Sequence, residues 1–191
     1  MNNSNMSNMS NSSYLEIIVG PMFSGKTSKL LEVYKQCKFC DIPVTIINYD
    51  LDKRYHDTML SSHDKIMAPC IQANKLSEIK YNTEVINSEV ILINEGQFFE
   101  DLYEVVLDML NCGKKIYIAG LDGDFERKKF GLILDLIPLC DKVIKLTSLC
   151  SICKNGTLAI FSMRLSKETQ QTVIGSDNYI PVCRNCYMTN R

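Results

Sequence analysis

Gly20-Pro21-Met22-Phe23-Ser24-Gly25-Lys26-Thr27 is the stretch whose reading decides the fold. It fits G-x-x-x-x-G-K-[ST], the phosphate-binding loop, a match that needs a strand before it and a helix after it. Tyr14–Val19 is apolar and β-branched, as a buried strand should be, and residues 27–38 carry Leu30, Leu31 and Tyr34 at helical spacing. Gly20 and Gly25 let the backbone curl so that successive N–H groups converge on phosphate oxygens at a helix N-terminus. Lys26 would reach the β- and γ-phosphates, and the Thr27 hydroxyl would sit on Mg²⁺. A glycine-rich surface turn explains the loop but not its two neighbours. The stretch reads as a nucleoside triphosphate site.

Outward from the loop, strands and helices alternate. Val44–Tyr49 is a second strand, announced by Pro43, and a polar stretch from Asp50 through Asp52, Lys53, Arg54 and Tyr55 to Asp64 follows it. A weak helix is expected over 75–81. Val90–Ile93 is a third strand, buried on both faces by its unbroken apolar run, and it ends in Asn94-Glu95-Gly96-Gln97-Phe98-Phe99. Residues 101–111 read as a helix with Leu102, Val105, Val106 and Met109 on one face and Gly113 just past its end. Residues 115–119 form a fourth strand leading into Gly120-Leu121-Asp122, and 143–146 form a fifth. The pattern predicts an α/β fold, a parallel P-loop sheet flanked by helices, with ligand at the carboxyl ends of the strands.

The chain has 191 residues, enough for one domain over 14–146 and a small appendage over 147–191. Residues 1–13 are almost all Asn, Ser and Met, and a disordered tail is expected there. A net charge of −1 leaves no electrostatic footprint for nucleic acid or an anionic membrane, so neither partner is expected. No apolar run is long enough to span a bilayer and no signal peptide is legible, which points to the cytoplasm.

Four of the nine cysteines form two pairs, Cys150-x-x-Cys153 and Cys183-x-x-Cys186. Two such knuckles can complete a closed tetrahedral site, so a structural zinc ion is expected rather than a catalytic one. Pinning both ends of 154–182 to one ion would make that segment a tethered loop suited to be a substrate lid. Cys37-x-x-Cys40 lacks a second pair and reads as packing, and Cys70, Cys112 and Cys140 read as buried thiols.

P-loop enzymes place a carboxylate at the end of a neighbouring buried strand to support Mg²⁺. Asn94 holds that place here, with Glu95 next to it. Glu95 could accept the proton of an attacking hydroxyl, or serve as the metal-side carboxylate, or merely pair structurally. Phe98, Phe99, Phe125 and Phe130 fall in ligand-end loops, where aromatic rings suit a planar base.

Taken together, these blocks closely resemble the type II thymidine kinases, the cytosolic deoxynucleoside kinases with a zinc ribbon. The resemblance runs from about Tyr14 to Tyr187. It rests on the phosphate loop, Asp52-Lys53-Arg54-Tyr55, Glu95-Gly96-Gln97-Phe98-Phe99, Leu121-Asp122-Gly123, Phe125 with Arg127-Lys128, Phe130-Gly131 and the four cysteines. It implies transfer of the γ-phosphoryl of ATP to the 5′-hydroxyl of thymidine, with deoxyuridine as a related acceptor, in nucleotide salvage. It makes Glu95 the general base, and sets Asp52, Arg54, Asn94 and Gln97 beside the phosphates with the loop. Met22, Phe98, Leu121, Phe125, Phe130 and Ser162 would line the thymine pocket, with Ser162 where the family has threonine. Tyr179 and the backbone at Val173 and Gly175 would close over the nucleoside. A homotetramer and inhibition by thymidine triphosphate (dTTP) are implied as well. The family has aspartate at the place of Asn94, and commonly a small apolar residue at that of Gln171. Two rival readings stay open on the residues: a nucleotide-binding zinc-ribbon protein with weakened or no kinase activity, and a nucleic-acid-binding module.

Overall fold

The computed structural model describes residues 12–50, 59–61, 66–172 and 178–190. In chain order its elements are β1 (Tyr14–Val19), α1 (Lys26–Phe39), β2 (Val44–Tyr49), β3 (Met59–Ser61), β4 (Met67–Pro69) and β5 (Ile71–Ala73). Next come α2 (Leu76–Ile79), α3 (Thr83–Asn87), β6 (Val90–Ile93), α4 (Leu102–Asn111), β7 (Lys115–Gly120) and β8 (Lys142–Lys145). The C-terminal part holds β9 (Ser148–Leu149), β10 (Leu158–Ala159), β11 (Phe161–Arg164), β12 (Tyr179–Val182) and α5 (Arg184–Thr189).

Six strands pair in the order β5-β2-β6-β7-β1-β8, every pair parallel. The apolar runs are divided between two faces by the two-residue period of a strand. Leu15, Ile17 and Val19 of β1 join Ile91 and Ile93 of β6 under α4, in a cluster with Val105, Val106 and Met109. Ile18, Leu92 and Val90 turn the other way, against Leu30 and Leu31 of α1. Every residue of β6 is buried, as its unbroken apolar run predicts. A third cluster is separate and small: Cys150, Ala159, Val182, Cys183, Cys186 and Tyr187.

Several elements differ from the sequence expectation. The helix expected over 75–81 is the single turn α2, and a second short helix, α3, follows it beyond that range. Asp101 fixes the first by accepting from the amides of Leu76 (3.1 Å) and Ser77 (2.8 Å), and the Asn82 side chain caps the second by accepting from Glu84 N–H (2.8 Å). Strand β8 lies one residue earlier than 143–146 and is an edge, with Val143 exposed between Lys142 and Lys145, a charge pattern that blunts further pairing. The C-terminal part carries α5, too short for its apolar spacing to register as a period. Cys112 and Cys40 are exposed because each caps the end of a helix, and Cys70 and Cys140 are half-buried, so only Cys37 of these is a buried thiol. No described helix is long and apolar enough to cross a membrane.

Candidate active site

The phosphate loop leaves β1 and enters α1 through Gly25, whose left-handed backbone (φ 84°) precedes the first helical turn. A Cβ on Gly20 would run into the Leu146 carbonyl and the Ser24 hydroxyl, so the loop packs too closely for any side chain there. Among the described residues, the Ser24 hydroxyl is the buried side-chain oxygen left without a hydrogen-bond partner. Since the other buried side-chain nitrogens and oxygens of the described residues are paired, an orphan in this loop fits a phosphate oxygen as its partner. Lys26 Nζ donates to the Pro21 carbonyl at 2.8 Å, which holds the cation across the loop. Phe23, left-handed at φ 60° and 41% exposed, borders an open groove with Leu149, Ile180 and Pro181 of the C-terminal part.

Behind the loop runs a chain of amides. Thr27 Oγ1 donates to Asn94 Oδ1 at 3.4 Å, Asn94 Nδ2 to Asn48 Oδ1 at 2.8 Å, and Asn48 Nδ2 to Gln72 Oε1 at 3.2 Å. Asn94 and Asn48 are both 2% exposed, so their amides are committed to one another. The chain turns an uncharged oxygen toward the Thr27 hydroxyl. Two oxygen donors of this kind suit a hard cation such as Mg²⁺, with less charge than a carboxylate supplies.

Glu95 sits where β6 ends, in a left-handed backbone (φ 55°) that a non-glycine residue adopts only under constraint. Gln97 supplies the constraint on its side chain. Gln97 Nε2 donates to Glu95 Oε2 at 2.7 Å, while Gln97 Oε1 accepts from Leu121 N–H at 3.0 Å. The amide thereby ties the end of β6 to the end of β7. Gln97 itself is buried, with one end of its amide on Glu95 and the other on Leu121 N–H, so that it braces Glu95. Gly131, at φ +59°, passes against the Gln97 carbonyl with no room for a Cβ.

The residues expected at the nucleoside gather in pairs. Phe98 meets Phe130 edge-on, with centroids 5.4 Å apart, and Tyr49 lies 5.1 Å from Phe98 on its other side. Ser162 Oγ accepts from Met22 N–H at 2.9 Å, joining β11 to the phosphate loop. Phe125 and Tyr179 both lie against the Arg164 guanidinium, 3.7 and 5.2 Å from their ring centroids. Leu121 is half-buried with its amide held by Gln97. Phe99 is the exception among the loop aromatics. It is 1% exposed, inside the α4 cluster, and is core. Asp52, Arg54, Val173 and Gly175 lie outside the described residues.

The four cysteines converge as their spacing predicts. Their Sγ atoms all lie within 4.8 Å of one another, and a tetrahedral zinc site with Zn–S near 2.3 Å needs sulfurs about 3.8 Å apart. Each knuckle turns its backbone onto its first sulfur: Cys153 N–H faces Cys150 Sγ, and Cys186 N–H faces Cys183 Sγ, both at 3.5 Å. Burial opposes ionisation of Cys150, but amides of Cys153, Cys183 and Ile152 outweigh it and bring the thiol down to about 6. The set could hold zinc.

Sequence reasoning missed Tyr49, Asn48, Gln72, Asp124 and Arg164. Tyr49 and Asn48 at the end of β2 could have been flagged by position alone. The roles of the other three depend on what the fold sets beside them, and no local pattern signals it.

A thymidine kinase family profile matches residues 13–187. The chain is similar to the thymidine kinase of Yaba monkey tumor virus, 44% identical over 93% of this chain and 96% of that protein. It is similar to the thymidine kinase of vaccinia virus strain Ankara at 41% identity, over 93% of this chain and 98% of that protein. Against the cytosolic thymidine kinase of Gallus gallus it is 39% identical, over 93% of this chain and 78% of that protein.

Proposed function

The chain belongs to the thymidine kinase family, and we propose on that premise that it transfers the γ-phosphoryl of ATP to the 5′-hydroxyl of thymidine, giving dTMP and ADP. The observation that carries the reading is the braced carboxylate: Glu95, gripped by Gln97 at 2.7 Å, at the end of a strand in the same sheet as the phosphate-loop strand. A base held in one rotamer can take the 5′-hydroxyl proton as the oxygen attacks phosphorus. Lys26, Thr27, Ser24 and the loop amides hold the triphosphate and stabilise charge spreading over the transferred group. Asp52 and Arg54 belong to the same side of the site in this reading.

Thr27 and Asn94 would hold Mg²⁺. When bound, that ion neutralises charge on the phosphate oxygens. The four cysteines would hold zinc in a closed structural site. The division follows the chemistry, with the kinase domain over 14–146 and the ribbon with its lid over 147–191. Phe98, Phe130, Phe125, Leu121, Met22 and Ser162 would surround the base, and Tyr179, Val173 and Gly175 would close over it and exclude water. Deoxyuridine, which lacks only the thymine methyl, fits the same reading as a weaker acceptor. A homotetramer, dTTP inhibition and a cytoplasmic location complete the proposal. Nucleic acid and membranes are not among the partners it assigns.

The deciding experiment is phosphorylation of thymidine with labelled ATP by wild type and Glu95→Gln across a Mg²⁺ series. The wild type is expected to be active, and the variant to lose ~10² to 10⁴-fold in rate with thymidine binding kept. No product from wild type at any Mg²⁺ level would overturn the reading. A variant at full rate would remove Glu95 from its role.

A further inference from the structure

Arg164 is 9% exposed, and among the described residues the hydrogen-bond partners of its guanidinium are a hydroxyl and three carbonyls, with no carboxylate. A cation out of water is costly unless every donor is satisfied, so its partners show what it was placed to hold. Nε and Nη2 donate to the Tyr179 hydroxyl at 3.1 and 2.6 Å. Nη1 donates to the carbonyls of Glu168 (2.9 Å) and Gln170, and Nη2 to that of Gln171 (2.9 Å). The face of the group stacks on Phe125 at 3.7 Å. Arg164 and Tyr179 are direct partners in the β11–β12 ladder, so sheet register sets the first contact.

The grip closes into a ring. Gln171 Nε2 donates to Asp124 Oδ2 at 2.8 Å, and Asp124 Oδ1 accepts from the amides of Glu126 and Lys128, both at 2.9 Å. Asp124 thus fixes the loop that carries Phe125 under Arg164. Starting from β11, the links run through residues 168–171 to Asp124, on to Phe125 and back to the guanidinium. Gln171, out of keeping with the family pattern, has its place here as the strut between the lid segment and the kinase loop.

We infer that Arg164 is the positioning residue of the nucleoside site: it sets Phe125 and Tyr179 and the path of residues 168–171 as one unit, so that thymidine need not order them. This rests on the proposed thymidine reading, in which Phe125 lines the base pocket and Tyr179 closes over the acceptor. Charge alone does not do this. The planar fork reaches one hydroxyl and three carbonyls while its face covers a ring, and a lysine ammonium cannot do both.

Steady-state kinetics on Arg164→Met, Arg164→Lys and Gln171→Ala, varying thymidine and ATP separately, test the inference. Arg164→Met is expected to raise KM for thymidine about tenfold or more, the effect of leaving several side chains to be ordered by the ligand, with KM for ATP within about twofold of wild type. Arg164→Lys is expected not to rescue it, and Gln171→Ala, at an exposed position, to raise thymidine KM by about threefold. Equal rises in both KM values, an unchanged thymidine KM, or rescue by lysine would each overturn the inference. Should Arg164→Met fail to fold, the lysine and Gln171 variants decide it by the same criteria. A wild type that leaves thymidine unphosphorylated would overturn the underlying reading and this inference with it, whereas an active wild type with indifferent variants overturns the inference alone.

Discussion

On one side of the site, the phosphate loop and Glu95 hang from the ends of β1 and β6, strands whose aliphatic side chains are 3% exposed or less. Opposite them, the lid segment and Tyr179 rest on β11 and β12, a two-stranded pair over a six-residue buried cluster that includes three cysteines. The first side is rigid because a large apolar core stands behind it, each square ångström of buried apolar surface stabilising by about 25 cal/mol. The second has too little apolar surface to hold itself, and uses four thiols at one end and one guanidinium at the other. With zinc on those thiols, as proposed, such a small unit should come apart without disturbing its neighbour.

That contrast is sharpest for zinc. Removing the metal with a chelator, or substituting Cys183→Ser, is expected to lower thymidine phosphorylation by about 100-fold or more, since structural zinc supplies ~10 kcal/mol or more of folding free energy to small units. Nucleotide binding by the 14–146 region should stay within a few-fold, measured by calorimetry with ADP. Loss of both together would show that the two sides fold as one.

A cut on the other side is expected to be smaller and to act through Glu95. Gly131→Ala forces a Cβ onto the Gln97 carbonyl at φ +59°, and displacing Gln97 frees Glu95. We expect a loss of about 2 kcal/mol or more in stability and a fall in kcat of about tenfold with both KM values little changed. A fall in stability alone would mean that Gln97 is dispensable to the base.

Asn94 tests the electrostatics of the rigid side. Asn94→Asp restores a charge beside Thr27, although Asn48 Oδ1 now accepts from the residue 94 amide and must rotate to donate. Half-saturating Mg²⁺ is expected to fall about fivefold, a gain of ~1 kcal/mol for the ion. An unchanged Mg²⁺ dependence would show that the neutral amide chain already suffices.

The smallest effect lies remote from both sides. Burial opposes ionisation of Asp101, but the amides of Ser77 and Leu76 outweigh it and hold the carboxyl below its ordinary value. A depressed carboxylate contributes stability that is present above its unfolded value and lost as pH falls through the folded one. Asp101→Ala is therefore expected to cost about 1 kcal/mol at neutral pH, with activity unchanged. In denaturant titrations the gap should narrow as pH drops below about 4. A gap independent of pH would assign the loss to packing.

The sequence by itself determined the rigid side. A phosphate loop is a local motif, and Tyr14–Val19, Val44–Tyr49 and Val90–Ile93 are strands at the residues where runs rich in apolar and β-branched residues announce them, unbroken in the last. Burial on both faces of a parallel sheet leaves a continuous apolar signal that no surface element gives. The four cysteines were legible for a similar reason, since ligand spacing within each knuckle is local. Only the tertiary structure decided that Gln97 braces Glu95, that Asn94 is held by Asn48 and Gln72, and that Arg164 grips Tyr179, Phe125 and residues 168–171. Gln97 and Glu95 are two residues apart, but the Leu121 amide that anchors Gln97 comes from another strand end. The other contacts join residues distant in the chain or in different elements, and such a hydrogen bond has no period and no spacing until strand order and register bring its two ends together.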